Sequence, residues 1–323
     1  PNYYGVSPPV DLLVDIVHDY DKIALIDEAH GAHLPFHEEL PLSGLEVQAD
    51  VVVSGAHKTL PAMTQTSFLH LKGSRVSDKD ISRALAVIET TSPSYVLMAS
   101  LDIARKLAAT RGSELLGRVI EAARKAQLKL NEMPGIKCLT GDHVASKGFR
   151  HDPTKLVVSF NGLHMTGFEA GDMLRQKHNI EVEFQDMVNV IAVLTMMDME
   201  EDVLGFAEAV SKIAQDGFPR GQETLLPRSD TKTVLADLSR VFKELPKQRM
   251  TPREAVFSEG KLIKTEEAAG RISADTIVPY PPGVILICPG QEITSAVTDF
   301  IVHATSCGVG FHGVKDNHVL VVA

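Results

Sequence analysis

Cysteine is scarce. Cys138, Cys288 and Cys307 are the only three in 323 residues, and they are odd in number and far apart. That argues against a disulfide framework and a thiolate zinc site, and points to reduced thiols in a cytoplasmic protein. Basic residues are outnumbered, with 32 Lys and Arg against 42 Asp and Glu for a formal net charge of -10. General attraction to nucleic acid or to an anionic membrane is therefore not expected. Long apolar runs are missing too, since no uninterrupted stretch approaches the ~20 residues of a membrane span. Internal repeats and low-complexity tracts are likewise absent. What is plentiful is apolar content, 44%, ample for the cores of two or three domains.

Two apolar runs end on side chains that carry chemistry. Val51 to Val53 reads as a short strand buried on both faces, and Ser54-Gly55-Ala56 turns the chain out of it toward Lys58. Lys58 thus sits past the C-terminal end of a strand, where open α/β sheets bind ligands. Leu60 and Pro61 behind it predict partial desolvation, which favours a nucleophilic amine able to form a Schiff base. Upstream, Ile23 to Ile26 reads as a similar buried strand ending in Asp27-Glu28. Residues 28 to 50 are long enough for the crossover between parallel neighbours, which would bring Asp27 and Lys58 to one sheet edge. A buried carboxylate needs a cationic partner. A protonated pyridine nitrogen would serve, with Lys58 holding the aldehyde of the same ring.

Other readings of these residues fail on physical grounds. The letters DEAH also label a helicase class, but its GxxxxGK[ST] phosphate loop is missing. His30, His33 and His37 with Asp27 would share a helical face as metal ligands, yet Gly31 and Pro35 spoil that helix. No metal site is expected, and His33 and His37 read as surface or hydrogen-bonded loop histidines.

DEAHGAH at Asp27 and GAHKTLPAMTQTS at Gly55, with TSPSYVLMASLDIAR at Thr91, PREAVF at Pro252, GRISAD at Gly270 and VPYPPGVILICPGQEIT at Val278, resemble the Orn/Lys/Arg decarboxylases. The matches run in order over essentially the whole chain. The resemblance implies an α/β protein of the pyridoxal-phosphate fold type I, the aspartate-aminotransferase fold. Its parts would be a partial large domain with a mainly parallel sheet, a small α/β lobe and a C-terminal α+β domain. It implies decarboxylation of arginine, lysine or ornithine to the amine and CO2, in polyamine metabolism. Lys58 would carry pyridoxal phosphate and Asp27 would keep its ring nitrogen protonated. The resemblance further implies Ala29 against the ring face, His30 beside the ring as a proton carrier with Lys58, and His57 on the phosphate.

Thr91 and Ser92, read as the start of a long helix, are expected to reach the phosphate of a second subunit, giving a homodimer with shared sites or a higher oligomer built on it. Glu254 is a candidate for the distal amine or guanidinium of the substrate. Arg271 is a candidate to position a carboxylate of ligand or protein by a forked contact. The family commonly has hydroxyl residues where Gly55 and Ala56 stand, so a hydroxyl contact to the phosphate is not expected from them. The family's phosphate-binding loop and ring-stacking side chain precede the matched region, so the chain is expected to begin inside the cofactor domain. An aminotransferase or aldolase-like lyase on the same scaffold, or an inactive relative serving as a binding partner, are the alternative functions.

The expected divisions are 1–110, the C-terminal part of the cofactor domain; 111–217, a small lobe with its linking helix; 218–250, a linker and amphipathic helix; and 251–323, a C-terminal domain. Within them the pattern predicts a helix near Val10 to Tyr20, a strand over Ser67 to Lys72, a helix over Asp78 to Val87 and a long helix from Tyr95 to about Met133. Gly112 and Gly117 are expected to interrupt that helix, and Pro134-Gly135 to end it. Residues 155 to 215 should alternate strand, helix, strand, strand, helix. Capping boxes are expected at Thr166/Glu169 and Asp198/Glu201, with Asn179 and Gly217 closing the helices that follow. A linker over 218–230 and an apolar face of Val234, Leu238, Val241, Phe242 and Leu245 complete the pattern.

Overall fold

Asp50 fixes the register of the sheet on which Asp27 and Lys58 stand. In the computed structural model, which describes residues 1–216, 228–280 and 283–323, the buried Asp50 carboxylate accepts from the Ala24 amide at 2.9 Å and bonds His18 Nε2 at 2.9 Å. Burial pushes this carboxyl up, but the Ala24 amide and His18 outweigh it and hold it below its usual range. Asp50 precedes one strand and Ala24 precedes the next, so the clamp aligns Leu25–Asp27 with Val51–Ser54 in parallel, Asp27 opposite Val53. On the other side Phe68–Leu71 pairs antiparallel with Val51–Ser54.

The central strand is buried, but the strand Leu25–Asp27 is not. It lies at the edge of this three-stranded sheet, Leu25 is 65% exposed and Asp27 is exposed. This corrects the expected burial of Asp27: an apolar run specifies a strand, while burial depends on what covers it.

The helix Tyr95–Asn131 runs 37 residues without a break. Gly112 and Gly117 do not interrupt it; they are contact points. A Cβ at Gly112 would lie 2.9 Å from Phe36 Cβ, and one at Gly117 would lie 3.1 Å from His37 Nε2. Its buried Ala104, Ala108, Leu115, Leu116 and Ile120 form one cluster with Ala32, Leu34, Leu40 and Leu60. The helix thereby braces both the 28–50 crossover and the loop that carries Lys58. Gly135, at φ +84°, follows its end.

Strand Lys155–Ser159, helix Gly167–His178, strands Phe184–Gln185 and Asn189–Val193, and helix Glu200–Asp216 follow in the anticipated order. Thr166 and Glu169 cap reciprocally, the Thr166 amide donating to Glu169 at 2.8 Å and the Glu169 amide to the Thr166 hydroxyl at 3.1 Å. Asn179 takes φ +54° after that helix. The Asp198/Glu201 box does not form; Asp198 accepts instead from the Thr195 amide at 2.6 Å, and Asp202 from the Met199 amide at 3.2 Å. Overlapping pairs with the same three-residue spacing made the wrong partner look equally good. Gly217, the linker as far as residue 227, and Pro281 and Pro282 lie outside the described residues.

Two compact units emerge. One comprises Pro1–Gly162, Met173–Glu183 and Ile191–Gln215; the other comprises Leu163–Asp172, Phe184–Val190 and Asp216–Ala323. In the second, Gly260–Lys264 and Val314–Lys315 flank His318–Val322 in an antiparallel sheet. Helix Ser295–Ser306 packs on helix Arg228–Lys243, with Val234, Val241, Phe300 and Ile301 in the core. Phe242 is 53% and Leu245 84% exposed, so neither belongs to the buried face; Leu245 lies beyond the helix end. Among the described residues no helix is long and apolar enough to cross a membrane.

Candidate active site

Lys58 lies in the single turn Ala56–Thr59 that directly follows the central strand. The Gly55 amide donates to the Ala29 carbonyl at 3.2 Å, laying the lysine loop on the Asp27–His30 loop. A Cβ at Gly55 would come 2.7 Å from that carbonyl and 3.2 Å from Lys58 Cδ. This close approach needs glycine at position 55.

The half-buried Lys58 then meets the buried His30, Nζ to Nε2 at 3.2 Å. Burial first, then the positive charges of Lys58 and Lys155, push His30 down to about 3. His30 is therefore neutral near pH 7. Its Nε2 accepts from the Lys58 ammonium, which assigns the ring proton to Nδ1. The Tyr3 ring packs on His30 with centroids 4.4 Å apart, and Lys58 Nζ lies 5.7 Å from the Tyr3 centroid, within range of a cation–π attraction. Such an arrangement holds an amine in place beside an acceptor that does not itself carry charge.

The Asp27 carboxylate stands at the end of the neighbouring strand, where Oδ1 accepts from the Ala29 amide at 3.0 Å. His57 Nδ1 donates to the Thr66 carbonyl at 2.8 Å, so only a protonated His57 could donate from Nε2 to an anion. Thr91 and Ser92 are exposed and do not start the long helix; Ser94 caps it, accepting from the Leu97 amide at 3.4 Å. Glu254 and Arg271 belong to the second unit. There the Glu254 carboxylate closes a capping box, accepting from the Thr251 amide at 2.8 Å, and Thr251 holds it below its usual range. Arg271 Nη2 donates to the Val322 carbonyl at 3.2 Å, a backbone contact in place of a forked carboxylate contact. The structure thus gathers Lys58, His30, Ala29 and Asp27, with His57 next to Lys58, while Thr91 and Ser92 stand on the surface.

Buried polar groups lie near this constellation: His33 is hydrogen-bonded, as one of its two expected readings had it, while Asp152 and Glu28 left no local signal of their partners. His33 Nε2 is 3.0 Å from Asp152 Oδ2, and Asp152 Oδ1 accepts from the Thr154 amide at 2.9 Å and hydroxyl at 2.7 Å. Burial pushes Asp152 up, but His33, Lys155 and Thr154 outweigh it and hold it well below the carboxylate range. A carboxyl lowered on folding stabilises above its unfolded pKa and loses that contribution as pH falls from there. Asp152→Asn should therefore cost about 3 kcal/mol at pH 7, with the difference from wild type shrinking below about pH 4. Urea unfolding at several pH values measures it; a pH-independent difference would count against the ionic role. Glu28 pins the crossover, its Oε2 accepting from the Ser43 hydroxyl and the Gly44 amide, both at 3.0 Å. Among the described residues no group of three or more His, Cys, Asp or Glu is arranged to hold a metal ion.

Comparison with known proteins bears on this site. Residues 1–202 match the family model "Orn/Lys/Arg decarboxylase, major domain", and residues 236–318 match its C-terminal domain. The arginine decarboxylase of Bacillus subtilis (strain 168) is 35% identical over 318 residues, covering 98% of this chain and 63% of that protein. The constitutive lysine decarboxylase of Escherichia coli (strain K12) is 24% identical over 350 residues, covering 85% of this chain and 48% of that protein. The solved lysine decarboxylase of Francisella novicida superposes with a TM-score of 0.82 at 20% identity, over 99% of this chain and 56% of that one. The fold is that of the fold-type-I pyridoxal-phosphate enzymes. The chain spans less than two thirds of the length of these relatives.

Proposed function

The chain belongs to the Orn/Lys/Arg decarboxylase family, and we propose that it forms the lysine-bearing part of a pyridoxal-phosphate enzyme that decarboxylates a basic amino acid. The observation that carries this reading is the Lys58–His30 contact of 3.2 Å beside Asp27 on the adjacent parallel strand. The donor set suits the group: an amine for its aldehyde, a carboxylate for its ring nitrogen, and the small Ala29 between. Bound there, pyridoxal phosphate would supply a carbonyl that captures amines and a ring that accepts the electron pair left by CO2.

The residues divide the work. Lys58 would hold the cofactor through its amine and would serve as the proton carrier. His30, neutral over the working range, orients the lysine amine as an acceptor and is a poor proton donor. Asp27 would face the ring nitrogen and keep it cationic. His57 reaches the phosphate only as an imidazolium, since Nδ1 is committed to Thr66. The arginine decarboxylase relative favours arginine, with lysine and ornithine as the other candidates. The product amine would enter polyamine metabolism. Within the second unit Glu254 closes its capping box and Arg271 supports the backbone at Val322.

Assembly follows from the shortage of phosphate donors near Lys58. The exposed Thr91 and Ser92 hydroxyls are available to a second copy, and exposed Tyr95 and Val96 next to them favour burial. The proposed unit is a homodimer with shared sites. Mixing full-length Lys58→Ala with full-length Thr91→Ala/Ser92→Ala, each inactive alone, should restore about a quarter of wild-type activity, because half the dimers are mixed and one site in each is whole. No recovery after subunit exchange has been demonstrated by mass would refute the sharing.

A further inference from the structure

Lys155 begins the strand Lys155–Ser159 and is 0% exposed, yet its Nζ has no hydrogen-bond partner among the described residues. A buried ammonium is costly unless an anion and hydrogen-bond acceptors replace the lost water. Asp152, three residues earlier, does not supply them, for its oxygens are committed to His33 and Thr154. Burial lowers Lys155 and Lys58 lowers it further, while Asp152 and Glu183 raise it without cancelling the effect.

The stem of its side chain packs against the segment that touches the candidate site. Gly5 takes φ +75°, and a Cβ there would come 2.8 Å from Lys155 Cγ. The Asp152 amide donates to the Gly5 carbonyl at 2.8 Å. Two residues before Gly5, Tyr3 lies on the His30 ring, and two residues of chain span at most about 7 Å. The segment from Tyr3 to Gly5 thus bridges the Lys58–His30 pair and Lys155. The charges register accordingly, Lys155 acting on His30 and Lys58 acting on Lys155.

We propose that Lys155 is an oxyanion-binding residue of the Lys58 site, its ammonium receiving a carboxylate of the substrate or the phosphate of the cofactor. This rests on the pyridoxal-phosphate reading above. An ammonium in a dry setting makes short charge-assisted bonds to such oxygens. Because it is a compact point charge with three donors, it accepts either geometry. The carboxylate that leaves as CO2 and the phosphate that never reacts are told apart by what each ligand carries.

The test uses full-length Lys155→Met and Lys155→Arg. Equilibrium titrations would measure pyridoxal phosphate, the amino acid that the wild type binds, and the amine that lacks only its carboxylate. Weakening of the amino acid by on the order of tenfold to a hundredfold in Lys155→Met, with the amine unchanged and partial recovery in Lys155→Arg, assigns the carboxylate. A similar loss for pyridoxal phosphate alone assigns the phosphate. A folded Lys155→Met that binds all three as wild type does overturns the proposal. Should that variant not fold, the Lys155 side-chain resonance in lysine-labelled wild type, assigned through Lys155→Arg, is followed as acetate and then inorganic phosphate are added at constant pH. A shift toward the charged form supports the proposal, and an unmoved signal rejects it. That readout does not depend on the cofactor. Failure of the wild type to bind pyridoxal phosphate at all would instead sink the functional reading.

Discussion

Replacing Lys58 by alanine in the full-length protein is expected to abolish turnover, by at least about a thousandfold. On the proposed function the substitution removes both the covalent anchor and a proton carrier that alone contributes about 10²–10⁴. The fold should survive, because the Lys58 amine makes one hydrogen bond, to His30, worth about 1 kcal/mol, and one cation–π contact, to Tyr3, among the described residues. Circular dichroism and thermal melting would establish this. Added alkylamines offer a further reading: partial rescue by a small primary amine would show that the missing group is the amine itself. A correctly folded Lys58→Ala protein that turns over at near-wild-type rate would falsify the assignment.

Asp27→Asn is expected to be nearly as severe for rate and even milder for structure. The side chain is exposed and its Oδ1 accepts from the Ala29 amide; an asparagine oxygen keeps that bond, so stability should change by less than about 0.5 kcal/mol. An amide, however, cannot hold a ring nitrogen as a cation, and losing a preorganised charge of this kind costs about 10²–10³ in turnover. Cofactor affinity should fall much less than the rate. Equal losses of affinity and rate would recast Asp27 as a binding group alone, and unimpaired turnover would remove it from the site.

Strand ends were the legible part of this site. Val51 to Val53 and Ile23 to Ile26 are apolar runs that break off at chemically distinctive residues, so the position of Lys58 and Asp27 at the ends of neighbouring parallel strands was visible without a structure. The long helix and the lobe after it were visible for the same reason of period. The exposure of Leu25 and Asp27 was not, because it depends on what lies beside an edge strand. Gly112 and Gly117 read as breaks, when what they serve is the approach of Phe36 and His37. The contacts that complete the site join residues far apart in the chain, such as Tyr3 with His30 and His33 with Asp152, 119 residues away. Lys155 carried no warning either. A charged residue opening a strand looks solvated until its neighbours are known.

The most direct test is chemical. Full-length protein loaded with pyridoxal phosphate, reduced with borohydride and digested, should carry the pyridoxyl mass on the peptide that contains Lys58 and on no other. A label on Lys155 or another lysine, or a protein that is folded, loaded and unlabelled, would contradict the account at its centre.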